Sequence, residues 1–327
     1  MTRRVAILGH WESAGGDPIC PTRALARIAQ GFTEARPHWA ADIIPFGVGS
    51  AFVEAMNQAP GHSWAPISVE RSEDSTARAG REAKEALDAG LTPLVEGGHL
   101  DDPDCGFGFI NAFTPAPLGA SPTVDELTTA LEAVRRAFTG RDVICAASTR
   151  RPLLGMTSVL AVDPDLGARM GTDRDRLAVL ARSLTVRTRG LPLAPDPTRS
   201  RESNNWGRID GSGAAGGVGA IIAAAGGRII PTGHFLRAAL DLDARLDGAD
   251  LVIVAEPRLH SPALADALLD AITSAAADLA LPVVAVGEES SLSAHELAEW
   301  GMHGQFVTGT DIPLDEAGAR VAKTWAI

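Results

Sequence analysis

Short apolar runs, each followed by a helical pattern, constrain the fold of this chain more than any other feature of its sequence. Val5-Ala6-Ile7-Leu8 is unbroken by polar residues and closes on Gly9. Such a run reads as a strand buried on both faces, the kind found in parallel sheets. A polar, Gly-rich loop over His10–Pro21 follows. Leu25, Ile28, Ala29 and Phe32 then recur at helical spacing, and Asp42-Ile43-Ile44-Pro45-Phe46 forms a second strand. Strand, helix, strand is the unit from which helix-covered parallel sheets are built. The rhythm returns near the C-terminus: Leu251–Val254, a helix over 263–279, Pro282–Val286, a short helix over 293–300, Gln305–Val307 and a last helix from about Pro313 to Trp325.

The middle is different. Thr123 with Glu126 three residues later makes a capping box, and Leu127, Leu131, Val134 and Phe138 form one apolar helix face behind it. Val143–Ala146 reads as a strand, and Leu177, Leu180, Ala181 and Leu184 mark another helix. The stretch from Leu191 to Asn205, with Pro192, Pro195 and Pro197, reads as a loop or linker. At 327 residues the chain exceeds one comfortable core, so two domains are expected.

Charge narrows the partners. There are 29 basic and 41 acidic residues, a net charge of −12, and no run of Lys or Arg longer than two. A duplex-binding face is therefore not expected. Cys20, Cys105 and Cys145 are far apart and form no C-x-x-C pair, so neither a structural zinc site nor a disulfide framework is indicated. The apolar stretch at Val5–Leu8 is too short for a secretory leader, and that at Ile221–Ala225 is too short to span a membrane. A soluble cytoplasmic protein with no membrane partner is the expectation.

The most distinctive motif is Gly211-Ser212-Gly213-Ala214-Ala215-Gly216-Gly217-Val218-Gly219. Gly211, Gly213 and Gly216 match the spacing G-x-G-x-x-G, but Asn204–Asp210 before them is no buried strand, which argues against a dinucleotide site. No Lys follows, so it is not a phosphate-binding loop of the Walker type either. Two readings remain: a helix start whose backbone N–H groups hold an anion, or a Gly/Ala-rich helix packed closely on its neighbour. Glu256 follows a buried strand, where ligands gather in parallel sheets, and Arg258 is suited to a carboxylate or phosphate. A structural ion pair is the other reading of both. Asp101, Asp102 and Asp104 beside His99 offer oxygen ligands for Mg²⁺ or a solvated turn around Pro103. His10, His99, His234 and His260 stand isolated in sequence.

Asp210–Ala220 resembles the P-G-A-G-A-A-G-G-x-G-A segment of the type I glycerate kinases. Gly248-Ala249-Asp250-Leu251-Val252-Ile253-Val254-Ala255-Glu256-Pro257-Arg258-Leu259 resembles their G-A-D-L-V-I-T-G-E-G-R-L-D. Weaker likenesses extend to Val95-Glu96-Gly97-Gly98 with Asp104-Cys105-Gly106-Phe107-Gly108, set against G-G-S-A-T-N-D-G-G-A-G. The resemblance implies an α/β protein of two α/β domains: a discontinuous Rossmann-like parallel-sheet domain of residues 1–62 plus 232–327, with a second α/β domain, 63–231, inserted. It implies ATP-dependent phosphorylation of glycerate or a related small hydroxy acid, with ATP and Mg²⁺ as cofactors. Catalytic roles would fall to Glu256, Arg258 and Asp104, and cofactor binding to Ser212, Gly213, Gly216 and Gly217, in a cleft between the domains. Two loops depart from the family. D-S-F-K-G-S is replaced by His10-Trp11-Glu12-Ser13-Ala14-Gly15, and A-D-G-G-E-G-T by Phe46-Gly47-Val48-Gly49-Ser50-Ala51-Phe52. The first loses its Lys, and the chain's two lysines, Lys84 and Lys323, lie in no comparable loop. The alternative is a non-catalytic ligand-binding or regulatory relative that kept the fold.

Overall fold

The computed structural model describes residues 2–11, 20–59, 61, 63–101, 104–162, 174–185, 205–259 and 268–326. The chain divides into two compact units, one of residues 1–62 and 232–327, the other of residues 63–231. The first unit opens with β1 (Arg3–Gly9), α1 (Pro21–Ala35), β2 (Trp39–Pro45) and α2 (Ser50–Gln58). The second holds β3 (Trp64–Ser68), α3 (Ala77–Asp88), β4 (Thr92–Gly97), α4 (Phe107–Asn111), α5 (Val124–Phe138), β5 (Ile144–Ala147), α6 (Val159–Val162), α7 (Arg174–Ser183), α8 (Val218–Ala225) and β6 (Arg228–Pro231). The chain then returns to the first unit with α9 (Thr232–Ala239), α10 (Leu242–Leu246), β7 (Leu251–Ala255), β8 (Arg258–Leu259), α11 (Leu269–Asp278), β9 (Val283–Gly287), β10 (Glu289–Ser290), α12 (Ala294–Glu299), β11 (Gly304–Val307) and α13 (Leu314–Trp325).

The sheet of the first unit is five parallel strands in the order β11-β9-β7-β1-β2. Val5–Leu8 and Leu251–Val254 are direct neighbours, with Val5 opposite Leu251 and Leu8 opposite Val254. Both runs are buried along their whole length, as unbroken apolar strands must be. Val5, Ile7, Leu251, Ile253, Val284 and Val286 share one apolar cluster with Leu25, Ile28 and Phe32 of α1 and Ala317 and Val321 of α13. Those two helices meet backbone to backbone. A Cβ on Gly31 would overlap the Asp315 carbonyl, and one on Gly318 the Ile28 carbonyl. Arg27 then reaches Asp315 at 2.8 Å and holds that carboxyl below its usual range.

The second unit carries a four-stranded parallel sheet, β3-β4-β5-β6. Its apolar cluster joins Val95, Val143 and Cys145 to Leu127, Leu131, Val134 and Phe138 of α5 and Ile221 and Ile222 of α8. The expected capping box is present: the Thr123 hydroxyl accepts from Glu126 N, and Thr123 N donates back to the Glu126 carboxylate at 2.7 Å. Trp64–Ser68 does not announce itself in the sequence because Pro66 interrupts it. β3 is an edge strand of this sheet, where proline is tolerated. The Leu191–Asn204 linker lies outside the described residues, as do the first turns of the helix expected from Ala263.

Replacing Gly31 with Ala is expected to lower stability by about 1–3 kcal/mol, because the α1–α13 contact leaves no room for a methyl group. Urea denaturation followed by tryptophan fluorescence measures it. Unchanged stability would mean the helices separate without penalty.

Candidate functional site

From the middle of the first unit's sheet the chain runs outward in both directions, from β1 to β2 and from β7 through β9 to β11. The reversal lies between β1 and β7, and ligands of open α/β sheets bind outside the carboxyl ends at such a point. The residues leaving these strands are tied together by backbone bonds: His10 N to Ala255 O at 3.0 Å, Phe46 N to Gly9 O at 2.9 Å and Glu256 N to Val286 O at 3.0 Å. His10 and Glu256 meet here. Nδ1 of His10 lies 3.4 Å from Oε2 of Glu256, with the side chains 13% and 21% exposed. The contact is an ion-pair approach that lacks the alignment of a hydrogen bond. Gly47 seats the imidazole, since a Cβ there would strike the His10 side chain. Sequence separation hid this pair, and only the β1–β7 neighbourhood brings the two together.

Arg258 stands apart from the pair. It lies on β8, which pairs with β10, and its Nε is 3.2 Å from Oε1 of Glu289. Both side chains are mostly exposed, so the contact adds little to stability. The loop after β1 re-enters the described chain at Cys20. There Glu54 of α2 accepts from Cys20 Sγ at 2.9 Å and Thr22 N at 2.9 Å, pinning the start of α1. Burial pushes the Glu54 carboxyl up, but these bonds together outweigh it and hold the carboxyl below its usual range.

In the second unit, Asp104 accepts five hydrogen bonds: from Ser75 Oγ (2.9 Å), Thr76 N (3.0 Å), Thr76 Oγ1 (2.7 Å), Gly106 N (3.0 Å) and Gly108 N (2.9 Å). The carboxylate satisfies the N-terminal amides of both α3 and α4, donors that have no partner within their own helices. Its position depends on a left-handed turn at Cys105 (φ 56°) and Gly106 (φ 81°). This geometry makes Asp104 a fastening of the fold.

The Gly-rich segment packs against the same turn. Residues 211–220 are all buried. Their amides turn inward: Gly211 N donates to Arg150 O, Ser212 N to Ile209 O, Gly213 N to Arg151 O, Gly216 N to Gly98 O and Gly217 N to Gly213 O. The Ser212 hydroxyl accepts from Leu153 N at 3.0 Å. A Cβ on Gly213 would meet Val159 and the Arg151 carbonyl, one on Gly216 would meet Leu100, and one on Gly217 would meet Cys105. Close packing therefore accounts for the glycines, and these amides are committed to the unit's own carbonyls. Ala215 (φ 49°), Gly216 (φ 64°) and Gly217 (φ 99°) form a left-handed turn ahead of α8 in place of a simple helix start.

One acidic group escaped notice as a candidate in the sequence. Glu96, at the carboxyl end of β4, is 1% exposed. It accepts from Ser68 Oγ at 3.1 Å on Oε2 and from Ser148 Oγ on Oε1. Its signal was a carboxylate ending the apolar run Leu94-Val95. Burial first, and then the Glu96 carboxylate, push the neighbouring Cys145 thiol up to about 12.

Glu256 and Arg258 thus belong to the first unit and Asp104 and Ser212–Gly217 to the second. Glu12, Asp102 and His260 lie outside the described residues. Among the described residues no three His, Cys, Asp or Glu side chains converge to hold a metal ion, and no helix is long and apolar enough to cross a membrane.

These features define an α/β protein of two parallel-sheet units with polar groups gathered at the strand ends. Its residues 48–325 match the model of the glycerate kinase family, and the chain belongs to that family. The whole fold is similar to the crystal structure of "putative glycerate kinase 2" from Salmonella typhimurium LT2, with a TM-score of 0.65 and 19% identity over 98% of each chain. Two uncharacterized proteins, from Mycobacterium bovis and Mycobacterium tuberculosis, are each 32% identical over 173 residues, 53% of this chain. That match spans 42% of the length of either relative.

Two outcomes are expected. Asp104→Ala should destabilise the protein by about 3 kcal/mol, the scale for stranding donors around a removed carboxylate; urea denaturation checks it. At pH 8 a thiol reagent should label one cysteine rapidly in the native protein, the exposed Cys20, and reach the buried Cys105 and Cys145 only after denaturation. Rapid labelling of Cys145 would contradict its raised pKa.

Proposed function

We propose that this chain transfers a phosphoryl group from ATP to a hydroxyl of a small hydroxy acid, glycerate or a close relative. The observation that carries the reading is the His10–Glu256 pair at the reversal point of the first unit's sheet. Phosphoryl transfer to an alcohol asks the protein for a group that orients the hydroxyl and takes its proton. Imidazole suits that task near neutral pH. In this reading Glu256, facing Nδ1, holds the ring in place, while Nε2 takes the proton. Mg²⁺ bound with ATP needs only one or two protein carboxylates. Glu256, at the strand ends, fits that modest demand and would contribute a ligand, the metal neutralising phosphate charge. Arg258 would steer the anionic ligands from the rim. Asp104, Ser212, Gly213, Gly216 and Gly217 would act by shaping the second unit's strand ends.

A second reading, a ligand-binding relative without turnover, draws on the committed state of Asp104 and of the Gly-rich amides, and on the lysine missing from the first loop. A coupled ATP-consumption assay over a panel of hydroxy acids separates the two. Turnover is expected on at least one acid and is expected to be weak on glycerate itself. Losing one cationic contact to the transferring group costs roughly 10²–10³ in rate. Glu256→Gln and His10→Asn should each lower kcat by about 10²-fold, and the double variant little further, since the two side chains act as one unit. Full activity in either single variant would refute the dyad, and no turnover across the panel would favour the binding protein.

A further inference from the structure

We propose that the second unit holds a separate binding cavity for an amphipathic zwitterion, the chemistry shared by apolar amino acids and by short peptides with free termini. The cavity measures about 940 Å³, within the range of small-molecule sites. Among the described residues it is walled by α5, the end of α7, Trp206 and residues 223–227 at the end of α8. Its place in the fold sets it apart. α5 runs on into β5 and α8 into β6, so their last turns lie where those strands begin. Glu96, at the carboxyl end of β4, marks the other end of the same parallel sheet. Ligands of open α/β sheets gather at the carboxyl ends. A ligand in this cavity lies toward the amino ends and stands outside the phosphoryl-transfer reading.

The walls are pinned by hydrogen bonds of their own, and these leave a short list of groups for a ligand. Trp206 N donates to Leu184 O at 3.1 Å and Asn205 Nδ2 to Ala181 O at 2.7 Å, which fixes the indole-bearing turn to the end of α7. The carbonyls that end α8 are taken. Arg135 donates to Ala224 O at 2.7 Å, Gly226 N to Ala223 O and Gly227 N to Ile222 O. The Thr128 hydroxyl gives its proton to Val124 O, and that of Thr185 gives its proton to Ala181 O. Two charges remain. Arg182 and Glu132 both border the cavity on exposed residues, and among the described residues neither forms an ion pair, with the other or with a third group. A guanidinium takes a carboxylate, and a carboxylate takes an ammonium. One charge of each sign at the same cavity favours a ligand that carries both, since a singly charged ligand answers only one of them. Leu131, Trp206 and the three alanines ending α8 add apolar wall, and the indole suits an aromatic side chain.

Calorimetric titration of the full chain tests the idea without ATP or turnover. The probes are phenylalanine, its analogues lacking the ammonium (3-phenylpropanoate) or the carboxylate (2-phenylethylamine), and the dipeptide phenylalanylphenylalanine. The wild-type protein is expected to bind phenylalanine or the dipeptide at millimolar concentration or below. Each singly charged analogue should bind about fivefold more weakly, the upper scale of a solvent-exposed ion pair. Arg182→Gln should weaken the zwitterion and phenylpropanoate by a similar factor and leave phenylethylamine unchanged. Glu132→Gln should weaken the zwitterion and phenylethylamine and leave phenylpropanoate unchanged. Arg182→Lys keeps the charge and should keep most of the binding. Arg136→Gln, on α5 but outside the cavity, should change nothing. Thermal melting checks that each variant is folded. Absence of saturable binding of both zwitterions overturns the proposal, and so do losses that ignore the charge of the probe. Equal losses in Arg136→Gln would trace the binding to general surface charge and overturn it as well. The tighter of amino acid and dipeptide identifies the source of the zwitterion, and either supports the site. Failure of the ATP-consumption assay would sink the kinase reading and leave these binding results standing.

Discussion

The parallel pairing of β1 with β7 holds the two ends of this chain in one sheet, with the whole of residues 63–231 between them. Closing so long a loop costs entropy that grows only slowly with length. The register from Val5–Leu251 to Gly9–Ala255 must meet that cost through buried apolar contacts and a shared hydrogen-bond ladder. The strands repay it by being buried on both faces. Everything at the reversal point follows from this one adjacency. His10 leaves β1 and Glu256 leaves β7, and the bond from His10 N to Ala255 O carries the ladder one step past the strand ends to bring the side chains together.

Three carboxylates of this molecule sit in distinct surroundings. Asp104 meets five donors and is a fastening between helix starts. Glu96 meets two serine hydroxyls in a buried position. Glu256, 21% exposed, faces the His10 imidazole at 3.4 Å. The distinction is one of saturation: a carboxylate whose oxygens are filled by backbone amides is poorly placed to take part in a reaction. The same logic applies to the Gly-rich segment. Backbone N–H groups that already donate to Gly98, Arg150 and Arg151 carbonyls are not waiting for phosphate.

The sequence by itself determined the class of fold and much of its order. Unbroken apolar runs can be satisfied only by burial on both faces, so Val5–Leu8, Leu251–Val254 and Val283–Val286 had to be interior parallel strands. The Thr123–Glu126 capping box is a purely local device and was legible for that reason. The place of Glu256 directly after a buried strand was legible too. What only the tertiary structure decided is partnership. That His10 meets Glu256, that Glu96 lies between Ser68 and Ser148, and that Asp104 closes onto Ser75 and Thr76 are contacts between residues far apart in the chain. The glycines of 211–217 show the same limit. Their spacing is open to a ligand-binding or a packing interpretation, and the choice turned on Leu100, Cys105 and Val159, which fill the space a side chain would need. Local sequence sets which conformations a segment can adopt. Which groups then satisfy its polar atoms depends on neighbours that only the folded sheet supplies.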